Sequence, residues 1–227
     1  MNAFLDTLKQ KKFMLIMSMP VNDAPLARDA FEAGADVVKV HMNLTHRAGG
    51  TLFGDLAENR ACFETMLSEA KGPMGLVPGG SAEAAGKDLI EASRMGFSFL
   101  SVYAHHMPVW GMKHAPAVMT AADCSYTTEE IAAFKACGAD VLEASVIPGA
   151  EYGTPLTMRD VIRYRNITAA VDLPVVVPTQ RAVRPDEVRA LYEAGVNALM
   201  IGSIVTGKTR ETILPAIEAF RTAIDRL

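Results

Sequence analysis

Leu173-Pro-Val-Val-Val-Pro-Thr-Gln-Arg181 and Asn197-Ala-Leu-Met-Ile-Gly-Ser-Ile-Val-Thr-Gly-Lys-Thr209 are joined by a helix-like stretch, Pro185–Gly195. Val175–Val177 is a short β-branched run, the signature of a buried strand. Pro185 suits the first turn of a helix and Gly195 its stop. Ala198–Ile201 is a second buried strand, followed by Gly202-Ser203 and a last helix. Strand, helix, strand and a Gly-Ser turn is how a (β/α)8 barrel ends, with an anion site after its last two strands.

Working outward, the same unit recurs. Ala33-Gly-Ala-Asp-Val-Val38, Met95-Gly-Phe-Ser-Phe-Leu100, Cys137-Gly-Ala-Asp-Val-Leu142 and Ala194-Gly-Val-Asn-Ala-Leu199 each place a helix-ending Gly two residues before an apolar strand. They precede the second, fourth, sixth and eighth expected strands. Four βαβα units make eight strands. The expected strands are 13–19, 36–42, 74–77, 97–103, 117–122, 140–146, 175–177 and 198–201. No linker or low-complexity tract interrupts them, so residues 1–227 read as a single α/β barrel domain. Met1–Lys12 is amphipathic, with Phe4, Leu5 and Leu8 on one face, suited to plug or flank the barrel. Asn43–Gly54 reads as a polar loop, long for a βα connection. Ala104–Pro116, with three His, two Pro and the only Trp, reads as a poor helix.

Gly202-Ser-Ile-Val-Thr-Gly-Lys-Thr209 also fits the phosphate-loop pattern G-x-x-x-x-G-K-[ST]. An ATP-binding loop needs a further strand to carry the acid that holds Mg²⁺. Only one helix follows here, so Lys208 is not expected to bind ATP.

Half of the 227 residues are hydrophobic, enough for a large core. A net charge of −4 argues against a nucleic-acid or anionic-membrane surface. Cys62, Cys124 and Cys137 are odd in number and lack metal-type spacing. They suit a reduced cytoplasm as buried or half-buried thiols. Lys9–Val21 imitates a secretory leader but runs straight into Asn22-Asp23 without a cleavage site. No run is long enough to cross a bilayer.

Catalytic groups of a barrel lie at the C-terminal ends of its strands, and alternate positions point inward. Lys39 stands in an otherwise apolar strand, where a lysine is costly unless paired or placed in a site. A substrate clamp, a general base, a Schiff-base amine and a structural ion pair with Glu143 or Asp123 all remain open for it. Glu143 stands in a similar strand. His41 follows on the same face as Lys39, and Asp123 ends the fifth strand. The candidate catalytic set is therefore Lys39, His41, Asp123 and Glu143. Thr179, Arg181, Gly202 and Ser203 form the candidate phosphate set. No local spacing marks a metal site, and no cofactor is expected.

The chain resembles the ribulose-phosphate-binding barrels, and among them the N-acetylmannosamine-6-phosphate epimerases. Leu15-Ile-Met-Ser18 with Asn22-Asp-Ala-Pro-Leu26 is similar to their first strand and its following loop. Gly34-Ala-Asp-Val-Val-Lys39-Val is similar to their second, with Lys39 in place of an arginine. Met119–Ser125 and Tyr152-Gly-Thr-Pro155 match two further places. Arg181 and Gly202-Ser203 fall where the resemblance implies phosphate binding. The family's catalytic lysine falls on Pro78, its glutamate on Thr179 and its strand-four aspartate on Tyr103. The implied activity is that of an isomerase or epimerase on a phosphorylated sugar or related small metabolite, its acid and base rebuilt from Lys39, His41 and Glu143. A Schiff-base lyase through Lys39 and a non-catalytic barrel that binds a phosphometabolite are the alternatives. The expected partner is a small phosphorylated substrate, not nucleic acid or membrane, with assembly as a homodimer open.

Overall fold

The computed structural model describes residues 2–227. Eight parallel strands close into a barrel. They are β1 Met14–Ser18, β2 Val37–His41, β3 Met74–Val77, β4 Phe99–Tyr103, β5 Val118–Ala122, β6 Val141–Ala144, β7 Val175–Pro178 and β8 Ala198–Ile201. Closure is made where β1 pairs with β8, Met14 beside Ala198 and Met17 beside Ile201. The strands read as near-continuous apolar runs because both faces are buried, one against the interior and one against the outer helices.

The repeated Gly motif has a physical reason that goes beyond stopping a helix. Gly34, Gly96, Gly138 and Gly195 all take φ between +89° and +116°, a conformation L side chains avoid. In three of the four repeats the residue two positions later then caps a neighbouring strand. Asp36 accepts a hydrogen bond from the Leu15 N–H at 2.9 Å, Asp140 from Val118 at 2.8 Å and Asn197 from Val175 at 2.8 Å. The open N-terminal ends of β1, β5 and β7 are satisfied this way, as buried backbone donors require.

The barrel interior is divided along its axis by the inward positions. Met14 and Ile16 of β1, Val37 of β2, Phe99 of β4 and Val141 of β6 fill the N-terminal half. The helix Ala3–Gln10 closes that end, with Phe4 fully buried and stacked on Phe99 at 3.9 Å between ring centroids. The N-terminal segment is thus a plug. Gly75 of β3 makes room for it, because a methyl group there would fall 2.0 Å from the Phe99 ring. One inward step further along the same strands stand Ser18, Lys39, Ser101 and Glu143, all buried. A closed apolar floor therefore supports a polar upper half.

Two segments differ from the sequence reading, and a third, the poor helix at 104–116, follows it. Asn43–Gly54 holds a two-stranded antiparallel hairpin, Leu44–Thr45 with Leu52–Phe53. Asn43 (φ +54°) and Gly50 (φ +67°) turn the chain, and Phe53 packs 4.8 Å from His41. The expected helix 81–95 breaks into Ala82–Lys87 and Leu89–Ser93. Gly86 weakens its centre and lies against Pro108 and Trp110. Ala104–His106 and Val109–His114 are 3₁₀ turns rather than an α-helix. Of the cysteines, Cys62 is half-buried, whereas Cys124 and Cys137 are exposed, because both lie in turns outside the core. No helix of the described residues is long and apolar enough to cross a membrane.

Candidate functional site

A cavity of about 220 Å³ opens at the C-terminal end of the barrel. Ser18, Lys39, His41, Ser101, Tyr103, Glu143 and Ser145 line it from the strands. Thr45, His46, Arg47 and Ala48 of the hairpin cover one side, and Thr179, Gln180, Gly202 and Ser203 border it after β7 and β8.

At its floor Lys39 Nζ lies 3.2 Å from Glu143 Oε2. β2 and β6 stand four strands apart in a barrel of eight, so the pair spans its diameter. Ser101 donates to the same carboxylate oxygen and Ser145 to the other, each at 2.8 Å. Burial pushes the Glu143 carboxyl up, but Lys39, Ser101 and Ser145 together outweigh it, so its pKa lies below the ordinary value.

Two histidines stand beside this pair. His41 is fully buried, with Nε2 3.4 Å from Ser18 Oγ and Nδ1 without a partner. Burial, His46 and Lys39 hold its pKa well below the ordinary histidine value. His46 packs against it at 4.7 Å and accepts the Gly49 N–H on Nδ1, which leaves the proton on Nε2. Burial and then Lys39 lower the His46 pKa to about 4. Both rings are neutral at pH 7. Burial, Glu143 and Tyr152 push the Tyr103 phenol upward, so it remains protonated.

The structure thus brings together Lys39, His41 and Glu143, with Thr179, Gly202 and Ser203 at the border. Two candidates stand apart. Arg181 does not line the cavity. Its guanidinium lies 2.5 Å from Glu151 and 2.9 Å from Asp160 and also bonds Thr154. These contacts tie down the loop after β6, and the arginine's charge is taken up by two carboxylates. Asp123 also lies outside the lining, because its Oδ1 accepts both the backbone N–H and the hydroxyl of Ser125 in a tight turn. Tyr103, His46 and Arg47 also line the cavity, although the sequence places none of them in the candidate catalytic or phosphate sets. Tyr103 continues the inward series Phe99, Ser101, the face on which alternation along the fourth strand places it, and His46 and Arg47 belong to the long loop after the second strand. Among the described residues no three His, Cys, Asp or Glu side chains converge to hold a metal.

The turn after β8 is also clarified. Gly202 already gives its N–H to Thr179 Oγ1 at 3.1 Å, Ser203–Thr206 is one helical turn, and Lys208 is exposed away from the cavity. The phosphate-loop pattern therefore does not wrap a nucleotide-binding concavity.

No protein-family model and no curated protein matches the sequence. Solved structures do match. A thiamine phosphate pyrophosphorylase from Pyrococcus furiosus has a TM-score of 0.67 at 17% identity, covering 96% of this chain and 98% of its own. Tryptophan synthase from Mycobacterium tuberculosis has 0.72 at 15%, covering 96% and 95%. KGPDC from Streptococcus mutans, solved as a complex with a ligand, has 0.70 at 12%, covering 95% and 99%. The chain has the TIM-barrel fold. These likenesses are too low in identity to carry chemistry from one barrel to another.

Proposed function

We propose that this TIM barrel is an acid–base enzyme that moves a proton beside the carbonyl of a small phosphorylated metabolite, as an isomerase or epimerase does. The buried Lys39–Glu143 pair at the cavity floor carries the reading. A carboxylate held ionised by three donors is a fixed proton acceptor, and Lys39 beside it is held as its hydrogen-bond donor. Lys39 has three N–H donors and gives one to Glu143, leaving two for a substrate oxygen. As negative charge builds on that oxygen it draws on Lys39, the field on Glu143 weakens, and burial raises the carboxylate's affinity for the departing proton. His46 and Tyr103 line the same cavity as neutral donors for substrate hydroxyls.

For the phosphate we infer a place after β7 and β8. Ser203 Oγ is buried without a partner, and the first N–H groups of its helical turn lack intrahelical acceptors. One of the similar barrels is named for a phosphorylated compound, thiamine phosphate, which supports this part by analogy of fold alone.

The test is incubation with a panel of phosphorylated aldoses and ketoses in deuterium oxide, followed by NMR. Deuterium should enter the carbon next to the carbonyl of at least one member, and Glu143→Gln should slow its entry by about 10²-fold or more. Borohydride should trap no adduct. An adduct mapped to Lys39, or a panel without exchange, would overturn the proposal, the first in favour of a Schiff-base lyase.

A further inference from the structure

The hairpin after β2 crosses the cavity mouth and carries a cation, Arg47, that makes no ion pair among the described residues. Its tip reaches both sides of the mouth. A methyl group on Gly49 would lie 3.3 Å from Ser203 Oγ, so the hairpin tip presses on the turn after β8. A methyl group on Gly149 would lie 3.6 Å from Arg47 Cδ and Nη1, so the Arg47 side chain reaches across to the loop after β6. Arg47 thus forms a roof from the β2 side to the β6 side, along the diameter that Lys39 and Glu143 span at the floor.

The charges of floor and roof differ. Lys39 is balanced by Glu143. Glu151, two residues beyond Gly149, is taken by Arg181, as is Asp160. Asp123 is close enough to feel the charge of Arg47 but makes no ion pair with it, and its Oδ1 is turned to Ser125. The Tyr152 hydroxyl accepts from Gln180 at 2.5 Å, which leaves its own proton to donate into the same cavity. A guanidinium with no paired carboxylate and a phenol proton, both lining one cavity, fit a planar or tetrahedral acid group.

We infer that Arg47 is the residue that recognises the substrate's acid group, from the roof of the cavity, in the part that the sequence suggests for Arg181. The inference deepens the reading above and rests on its assignment of this cavity as the substrate site, not on the phosphate place after β8. A phosphate monoester and a carboxylate share this chemistry, so the substrate class is a small oxyanion-bearing metabolite whose charged end faces the hairpin. Exposure of Arg47 makes its replacement harmless to folding, and Arg181, locked into its loop, takes no direct part.

Calorimetric titration with inorganic phosphate, and separately with malonate, tests this on the wild type, Arg47→Gln, Arg47→Lys and Ser203→Ala. Arg47→Gln should weaken binding of the preferred anion about tenfold or more, with Arg47→Lys between it and the wild type. Thermal unfolding should be unchanged in Arg47→Gln. Wild-type affinity in Arg47→Gln, with loss confined to Ser203→Ala, would overturn the inference and leave the phosphate site after β8 standing. Loss confined to Arg47→Gln would support the inference and remove that site. A wild type that binds malonate but not phosphate would keep Arg47 and discard the phosphorylated substrate. A wild type that binds neither anion would overturn both.

Discussion

Lys39 and Glu143 show how a single residue acquires its meaning. Each interrupts an apolar strand, and an isolated charge in such a place costs several kcal/mol. Sequence alone marks both as exceptional but leaves the partner of Lys39 open between Glu143 and Asp123. The fold chooses Glu143 because β6 faces β2 across the barrel, whereas Asp123 lies past the end of β5 in its own turn. Removing one member should be worse than removing both. Lys39→Met is expected to cost about 3–5 kcal/mol in urea unfolding at pH 7, with Lys39→Met/Glu143→Leu recovering most of it. In Lys39→Met the cation that lowers the Glu143 carboxyl is gone, so burial moves it upward from its wild-type value. The deficit should then shrink as pH falls from 7, since the group enters the fold protonated more readily than in the wild type. A deficit that does not change between pH 7 and pH 5 would contradict the assignment. Arg181 is the converse case. It reads as a phosphate ligand from its place after β7, but three side chains of the neighbouring loop and helix already hold it.

At the scale of elements, local chemistry was highly legible. Positive-φ glycines ending helices and apolar runs beginning after them locate every even-numbered strand. What those repeats also do, capping an adjacent strand through Asp36, Asp140 and Asn197, depends on a partner about twenty residues away and emerges only after closure. The N-terminal helix illustrates the same limit. Its amphipathic pattern says that Phe4 and Leu8 need cover, but the cover is the barrel floor, reached only because Gly75 leaves space for Phe99. Phe4→Ala should therefore destabilise the whole barrel by about 3–5 kcal/mol in chemical denaturation. A loss below about 1 kcal/mol would mean that the plug is dispensable. The hairpin between β2 and the next helix escaped the periodicity because two-residue strands are too short to show one.

At the scale of the molecule, acid should unfold this barrel early. His41 and His46 are neutral in the fold and take up protons in the unfolded chain below the ordinary histidine value of 6.5. The unfolded chain therefore binds more protons between there and about pH 4, and stability falls as pH drops through that window. Glu143 continues the loss, since its folded value lies below the ordinary carboxylate value of 4.5. Urea midpoints at pH 7, 5.5 and 4.5 should decline steadily, and His46→Gln should lessen the decline; a flat wild-type profile would refute the burial of both rings. The sequence by itself determined the eight-strand count, the order of helix and strand and the inward face of each strand, because these follow from the period of apolar residues and from glycine's backbone freedom within a few residues. Only tertiary structure decided which inward residues meet, that Arg181 is consumed by Glu151 and Asp160, and that Arg47 stands unpaired over the cavity. Electrostatic partnership is a property of distance in space, and barrel closure brings together strands that lie about a hundred residues apart in the chain.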